Sequence, residues 1–406
     1  MSATTLRSAA QWTAVIVNYN GATYLPACIE AIQRSTHPPA DIIVVDNASS
    51  DDSLQELHAY PRVQVAAQLS NLGFAGGANA GLALVETPLA LLLNPDVEIE
   101  PAFGDALQAV FAADPSLGAA GALLLYPETD RIQHAGGIIE SPLCTTRHRG
   151  YGEPRSAAWE VSADCDFVTG GALGLRMEAF RAVGGFDEGY APVYYEDVDL
   201  CVRLRAAHWR VQYRPELVAQ HHEGVTLQQS AQYHRFLHRN RLRFAVQHLD
   251  AARWNAFVAA EHTRLQYALA ATLPTDADWA DITGVSSIED QLRLTGDGAS
   301  LHAAETARAE MTRVVNWADS LHSPTAGMRP LGRLRRILQR IVVGDMAGHA
   351  SRQDAFNASV VAALRTQEAV QREQIATTLL LLLQIAYRME RGGASATTAS
   401  ADAPTA

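Results

Sequence analysis

The chain has 406 residues, of which 48% are hydrophobic and 19% charged, with a formal net charge of −12. This composition supplies core for two or three packed units and excludes global disorder, and the acidic balance excludes a broad nucleic-acid-binding surface. Cys28, Cys144, Cys165 and Cys201 stand far apart with no C-x-x-C pair, and no signal-peptide-like apolar run precedes Gln11. A reducing cytoplasm is therefore the expected location.

Residues 13–125 alternate short β-branched runs with helical stretches. "TAVIVNYN" precedes a predicted helix over 24–33, "DIIVVD" precedes one over 53–59, "VQVAA" one over 76–85, and "LALLLNPD" one over 103–113. This rhythm predicts an α/β fold with a largely parallel sheet, whose ligands gather at the carboxyl ends of the strands. Polar residues stand at those ends: Asn18 and Tyr19, Asp46 and Asn47, Asn94 and Asp96. Residues 126–222 are less regular and read as a second half that completes one site with the first, closing on a predicted strand "WRVQYRPELVAQH". From about 229 the pattern is mostly helical, with a break over 273–281, and the small, polar stretch 392–406 is expected to be disordered.

Several short motifs carry chemistry. In "LLLNPDV", Asp96 ends an apolar strand, where a carboxylate could hold a divalent cation against two phosphates; Asn-Pro-Asp reads equally as a turn. Asp46 ends "VVD" and suits a ribose or base hydrogen bond, while Asp51 and Asp52 read as caps of the next helix. "SNLGFAGGANAG", residues 70–81, resembles a phosphate cradle but has no P-loop lysine. In "VYYEDVDLCVRLR", Glu196, Asp197 and Asp199 crowd a helix start. Helix capping accounts for them, but the helical wheel turns Asp197 toward the apolar sector of Val198, Cys201, Val202 and Leu204 and leaves Glu196 at its edge.

In order, "VIVNYNG", "VVDNASSDDS", "NLGFAGGANAG", "LLLNPDV", "GGFDEGYAPVYYEDVDLCVRLR" and "HHEGVT" resemble the inverting family-two glycosyltransferases of the GT-A nucleotide-diphospho-sugar fold, in their rhamnosyltransferase-like branch. The resemblance covers residues 12–249 and implies a Rossmann-like mixed sheet followed by a helical region over 250–391. It implies Asp197 as general base with Glu196 beside it, and a donor site of Asn18, Tyr19, Asp46, Asn71, Gly73, Asn79, Asn94 and Asp96. The implied cofactor is Mg²⁺ or Mn²⁺, held by Asp96 and His221, with His222 as the alternative ligand and Thr226 five residues after His221. Asn94 stands where a full D-x-D motif has its first aspartate, so one carboxylate is left for the ion. The implied reaction moves a sugar from dTDP-rhamnose or a UDP-sugar to a glycan or lipid-linked glycan in bacterial surface-polysaccharide assembly, O-antigen included. The alternatives are a nucleotide-sugar nucleotidyltransferase and a non-catalytic scaffold subunit.

Two helical stretches fall beyond this resemblance. Residues 330–343 place Leu331, Leu334, Ile337, Leu338 and Ile341 on one face, with Arg333, Arg336 and Arg340 away from its centre. Such a helix suits peripheral contact at the inner membrane face, a packed helix or a homo-oligomer contact. Residues 375–387 are too short an apolar run to span a bilayer.

Overall fold

The computed structural model describes residues 11–222 and 231–271. The expected break, amphipathic helix, leucine run and tail at 273–281, 330–343, 375–387 and 392–406 lie outside the described residues, as does Thr226. The first half follows the predicted alternation: β1 (Trp12–Asn18), α1 (Leu25–Gln33), β2 (Ile42–Asp46), α2 (Ser53–Glu56), β3 (Val63–Ala67), α3 (Gly73–Leu82), β4 (Leu89–Leu93), β5 (Val97–Ile99) and α4 (Phe103–Ala113). β1, β2 and β4 are buried along their whole length, which explains why they read as continuous apolar runs rather than alternating ones. Trp12, Ile16, Leu91 and Leu93 pack with Leu25, Ile29, Phe103 and Phe111 from the helices.

The less regular half supplies β6 (Leu117–Leu125), β7 (Ile132–His134), β8 (Gly137–Glu140), β9 (Thr145–His148), β10 (Ala163–Asp164), β11 (Ala172–Arg176), α5 (Met177–Ala182), α6 (Glu196–Ala206) and β12 (Arg210–His221). The main sheet runs β10-β12-β6-β11-β4-β1-β2-β3, with β5 added to β12 and β7 to β6. β11 lies antiparallel between β4 and β6, so the two halves share one sheet. The mixed, GT-A-type sheet is the architecture the motif order implied.

α3 begins at Gly73, three residues before the predicted start. Asn71 and Asn47 take the backbone N–H groups of Gly73 and Leu72 at that turn and so start the helix early. The predicted helix over 53–59 is one α-turn followed by a 3₁₀ turn, Leu57–Ala59.

Two helices follow, α7 (Ala231–His248) and α8 (Ala251–Ala271). The expected domain end at 249 falls in the break between them, yet the first compact unit runs on to Ala260. Trp254 and Phe257 are buried, stacked on each other at 5.5 Å, and Phe257 lies under the Arg241 guanidinium at 5.6 Å. Of the second unit, the described residues are 261–271. Among the described residues no helix is long and apolar enough to cross a membrane. All four cysteines are buried, and none forms a disulfide.

Candidate active site

The carboxyl ends of β1, β2 and β4 converge with the ends of β6 and β12. β5 pairs antiparallel with the last residues of β12, setting His221 opposite Val97 and therefore beside Asp96. His221 Nε2 lies 3.3 Å from Asp96 Oδ1. His222 points elsewhere: its Nε2 meets Glu98 at 3.1 Å and its ring packs on Tyr24. Of the two expected ligand candidates, His221 is the one that reaches Asp96.

The residues fit a cation. His221 Nδ1 meets Gln133 Oε1 at 2.6 Å, and Gln133 Nε2 donates to the His221 carbonyl at 3.4 Å. A carbonyl oxygen accepts only, so Nδ1 carries the proton and, in the neutral ring, Nε2 turns a lone pair toward the carboxylate. Two lone pairs 3.3 Å apart repel unless a proton or a metal lies between them. Burial pushes the Asp96 carboxyl up, but with a proton between the pair the hydrogen bond and charge of the protonated His221 outweigh it and hold the group below the ordinary carboxylate range. Among the described residues no three His, Cys, Asp or Glu side chains gather to hold a metal. An ion here would take two protein ligands and complete its shell with water and diphosphate oxygens.

At the ends of β1 and β2, Asn18 and Asp46 are buried. Asn18 Nδ2 donates to Asp46 Oδ1 at 3.0 Å and to Ser49 Oγ at 3.1 Å, and the Ser49 N–H donates to Asp46 Oδ2 at 3.1 Å. Asp46 thus braces the loop after β2, while Tyr19 stands exposed beside it. Asp51 accepts from the N–H groups of Ser53 and, across the loop, Ala22. Asp52, expected to share the cap, makes no capping side-chain bond.

The glycine-rich turn spends three of its N–H groups within the protein: Leu72 on Asn47 Oδ1 at 3.0 Å, Gly73 on Asn71 Oδ1 at 2.8 Å and Phe74 on the Pro192 carbonyl at 2.7 Å. Gly73 has φ +72°, and a Cβ there would sit 2.9 Å from the Pro192 carbonyl. The glycine serves a close approach to the 191–192 segment. Asn79, expected at the donor, instead clamps the turn over 186–188, donating to the Phe186 carbonyl and Glu188 and accepting from the Phe186 N–H. Asn94 stays at the strand edge, its N–H on the Gly171 carbonyl.

The acidic helix lies on the far side of Gly170 and Gly171. Asp197 is half-buried; its Oδ2 accepts from the Gly170 N–H at 3.0 Å and its Oδ1 from the Val198 N–H at 2.8 Å. A Cβ at Gly170 would stand 4.0 Å from that of Asp197, and one at Gly171 would stand 3.6 Å from His221 Cε1. Gly170 and Gly171 thus lie between the carboxylate and the Asp96–His221 pair, and the Phe74 ring packs against Gly170, where a Cβ would come within 2.8 Å of it. Burial raises the Asp197 carboxyl above its usual range, and the N–H groups of Gly170 and Val198 recover part of that shift.

Glu196 corrects the wheel, which placed it at the edge. It is buried, and its Oε2 has no hydrogen-bond partner. Burial, and then the charge of Asp197, push its carboxyl well up. The wheel fails at the first turn because Tyr194 and Tyr195 are both left-handed, φ +78° and +71°, and reset the angle at which the helix enters. Asp199 is structural, held by Arg203 at 2.6 Å and His248 at 2.7 Å.

Residues 13–184 match the model of glycosyl transferase family 2, and residues 155–226 match one described as the N-terminal domain of galactosyltransferase. Residues 13–184 form a glycosyl transferase family 2 domain. An uncharacterized protein of Sinorhizobium fredii, y4gI, is 30% identical over 216 residues, 50% of this chain and 23% of that protein. The N-acetylglucosaminyl-diphospho-decaprenol L-rhamnosyltransferase of Mycobacterium tuberculosis is 28% identical over 240 residues, 52% of this chain and 75% of that protein. The crystal structure of GalNAc-T7 with UDP, GalNAc and Mn²⁺ shares the fold at a TM-score of 0.51 and 16% identity, covering 70% of this chain and 54% of that one. The chain therefore spans less than a quarter of the first relative and about half of that solved structure. The family 2 domain is rhamnosyltransferase-like, as its motif order implied.

Sequence reasoning left out three residues that shape this candidate site: Gln133 orients His221, Gly170 holds Asp197, and Asn240 on α7 grips the segment before α6. Asn47, expected only as a polar residue at a strand end, ties β2 to the α3 turn. The Gly-Gly before β11 was a readable sign of close backbone approach. Gln133 and Asn240 act across long sequence separations and leave no local pattern.

Proposed function

We propose that the domain transfers a sugar from a nucleotide-diphosphate donor to a hydroxyl of a glycan or lipid-linked glycan, with inversion, in bacterial surface-polysaccharide assembly. The observation that carries this reading is the pairing of Asp96 with His221 on one side of Gly170–Gly171 and Asp197 on the other. Asp197 takes the proton of the acceptor hydroxyl as it attacks the anomeric carbon from the face opposite the diphosphate. The raised Asp197 carboxyl makes it a stronger base than an exposed aspartate. Asp96 and His221 would hold a divalent cation, Mg²⁺ or Mn²⁺, which when bound neutralises charge on the leaving diphosphate. Asn18, Tyr19 and Asp46 border the space for the nucleoside. Likeness to a rhamnosyltransferase favours dTDP-L-rhamnose over a UDP-sugar.

The test is a thermal-shift screen of nucleotide sugars with and without Mn²⁺, followed by transfer to a soluble acceptor and NMR of the product's anomeric centre. A donor that stabilises only with Mn²⁺ and yields the inverted product supports the reading. Chelator-insensitive transfer overturns the metal role, and a retained configuration overturns the base role of Asp197. Binding without turnover across acceptors favours the scaffold alternative.

A further inference from the structure

Tyr194 and Tyr195, the two residues before Glu196, both occupy the left-handed region. For residues with a Cβ, such a conformation is strained and persists only where the surroundings impose it. What surrounds this turn is α7. Asn240 is fully buried, and its single amide nitrogen lies 2.7, 2.9 and 2.8 Å from the carbonyls of Tyr190, Val193 and Tyr194. Its Oδ1 accepts from Arg239 Nε at 2.9 Å, which fixes the amide's orientation. The same face of α7 carries Arg243 and Gln247, which hold Asp187 at 2.8 and 3.1 Å, Phe244, which packs on Tyr195, and His248, which holds Asp199. The positions 240, 243, 244, 247 and 248 form one helical stripe. This stripe grips the acidic segment from Asp187 to Asp199, and it lies beyond residue 226, where the family matches end.

We infer that Asn240 is a positioning residue that sets the direction of α6 and so the place of Asp197, making α7 part of the transfer machinery. This rests on the proposed role of Asp197. The segment from Ala191 to Tyr195 has no regular structure to orient its own carbonyls. Without the amide, the carbonyls of Tyr190, Val193 and Tyr194 lose their shared donor, the left-handed pair loses that restraint, and α6 pivots at its first turn. A displacement of about 1 Å at a reacting group costs on the order of 10²-fold in rate.

The experiment uses the full chain with Asn240→Ala and the near-isosteric Asn240→Asp, which keeps the volume but turns an acceptor on the carbonyls. Three readouts are compared: transfer kcat, affinity for UDP and dTDP with Mn²⁺, and hydrogen exchange of the 187–200 segment against β1 and β2. The expected result is kcat lowered about 10- to 100-fold, nucleotide affinity changed less than about 2-fold, and exchange raised about 10-fold in 187–200 alone. Unchanged kcat and exchange in both variants overturn the inference. Parallel loss of nucleotide affinity and of β1–β2 protection also overturns it, since that marks a general structural role. If the parent protein turns over no donor, the glycosyltransferase reading fails separately, and local exchange in 187–200 alone decides the role of Asn240.

Discussion

Replacing Asp197 by Asn separates proton acceptance from shape. The carboxylate takes two backbone hydrogen bonds, from Gly170 at 3.0 Å and Val198 at 2.8 Å. An amide keeps one of them and turns its NH₂ on the other N–H, so one donor is left unsatisfied in either orientation. That costs about 1–3 kcal/mol. Removing a carboxylate whose burial disfavours its charge offsets much of it at neutral pH, so Tm should move by only a few degrees. Catalysis has no such offset. Transfer at saturating donor and acceptor should fall about 10²- to 10⁴-fold, the range of a general base, while affinity for the nucleotide with Mn²⁺ stays near that of the parent. In the parent, the rate should drop as pH falls through the Asp197 value, and that acidic limb should lie above the ordinary carboxylate range because burial raises the group. Stopped transfer assays from pH 4 to 9, with calorimetry of nucleotide binding, read all of this. Near-normal turnover in Asp197→Asn would refute the base assignment; if Glu196→Gln is dead in the same assay, the two roles exchange.

Three further outcomes are expected. Asp96→Ala should abolish Mn²⁺-dependent nucleotide binding while leaving circular dichroism unchanged, since Asp96 and His221 are the two groups that face each other there; unchanged Mn²⁺-dependent affinity by calorimetry rejects the site. Glu196 has a folded-state carboxyl well above its unfolded value of about 4.5, so the stability it contributes is full below that value and is lost as pH rises through the folded one. Glu196→Gln should therefore gain Tm relative to the parent as pH is raised above about 4.5, and a difference that is flat with pH contradicts this. In α3, a Cβ at Gly81 would lie 2.5 Å from Val15 Cγ1 and 2.7 Å from Val45 Cγ2. Gly81→Ala should thus cost about 1–3 kcal/mol by overpacking, read as a lower urea midpoint; an unchanged midpoint means the helix can lift from β1 and β2 without loss.

Local chemistry made much of the protein legible from the chain alone. Continuous apolar runs with polar residues at their carboxyl ends located β1, β2 and β4, and with them Asn18, Asp46 and Asp96, because a strand buried on both faces has to be apolar until it reaches the sheet edge. The order of the motifs identified the family, and the crowding of Glu196, Asp197 and Asp199 marked the helix start. Other features depended on pairings between distant segments. Neighbouring strand residues point to opposite sides, so the choice of His221 over His222 awaited the register that sets His221 opposite Val97. The wheel misjudged Glu196 because the direction of α6 is imposed by Tyr194, Tyr195 and Asn240, the last lying 46 residues after Tyr194. The glycine-rich turn reads as a cradle, and only the fold turns three of its N–H groups onto Asn47, Asn71 and Pro192. Sequence spacing records period and edge, which are local. Which donor meets which acceptor across the sheet is decided by strand register and helix docking, and those exist only in the folded chain.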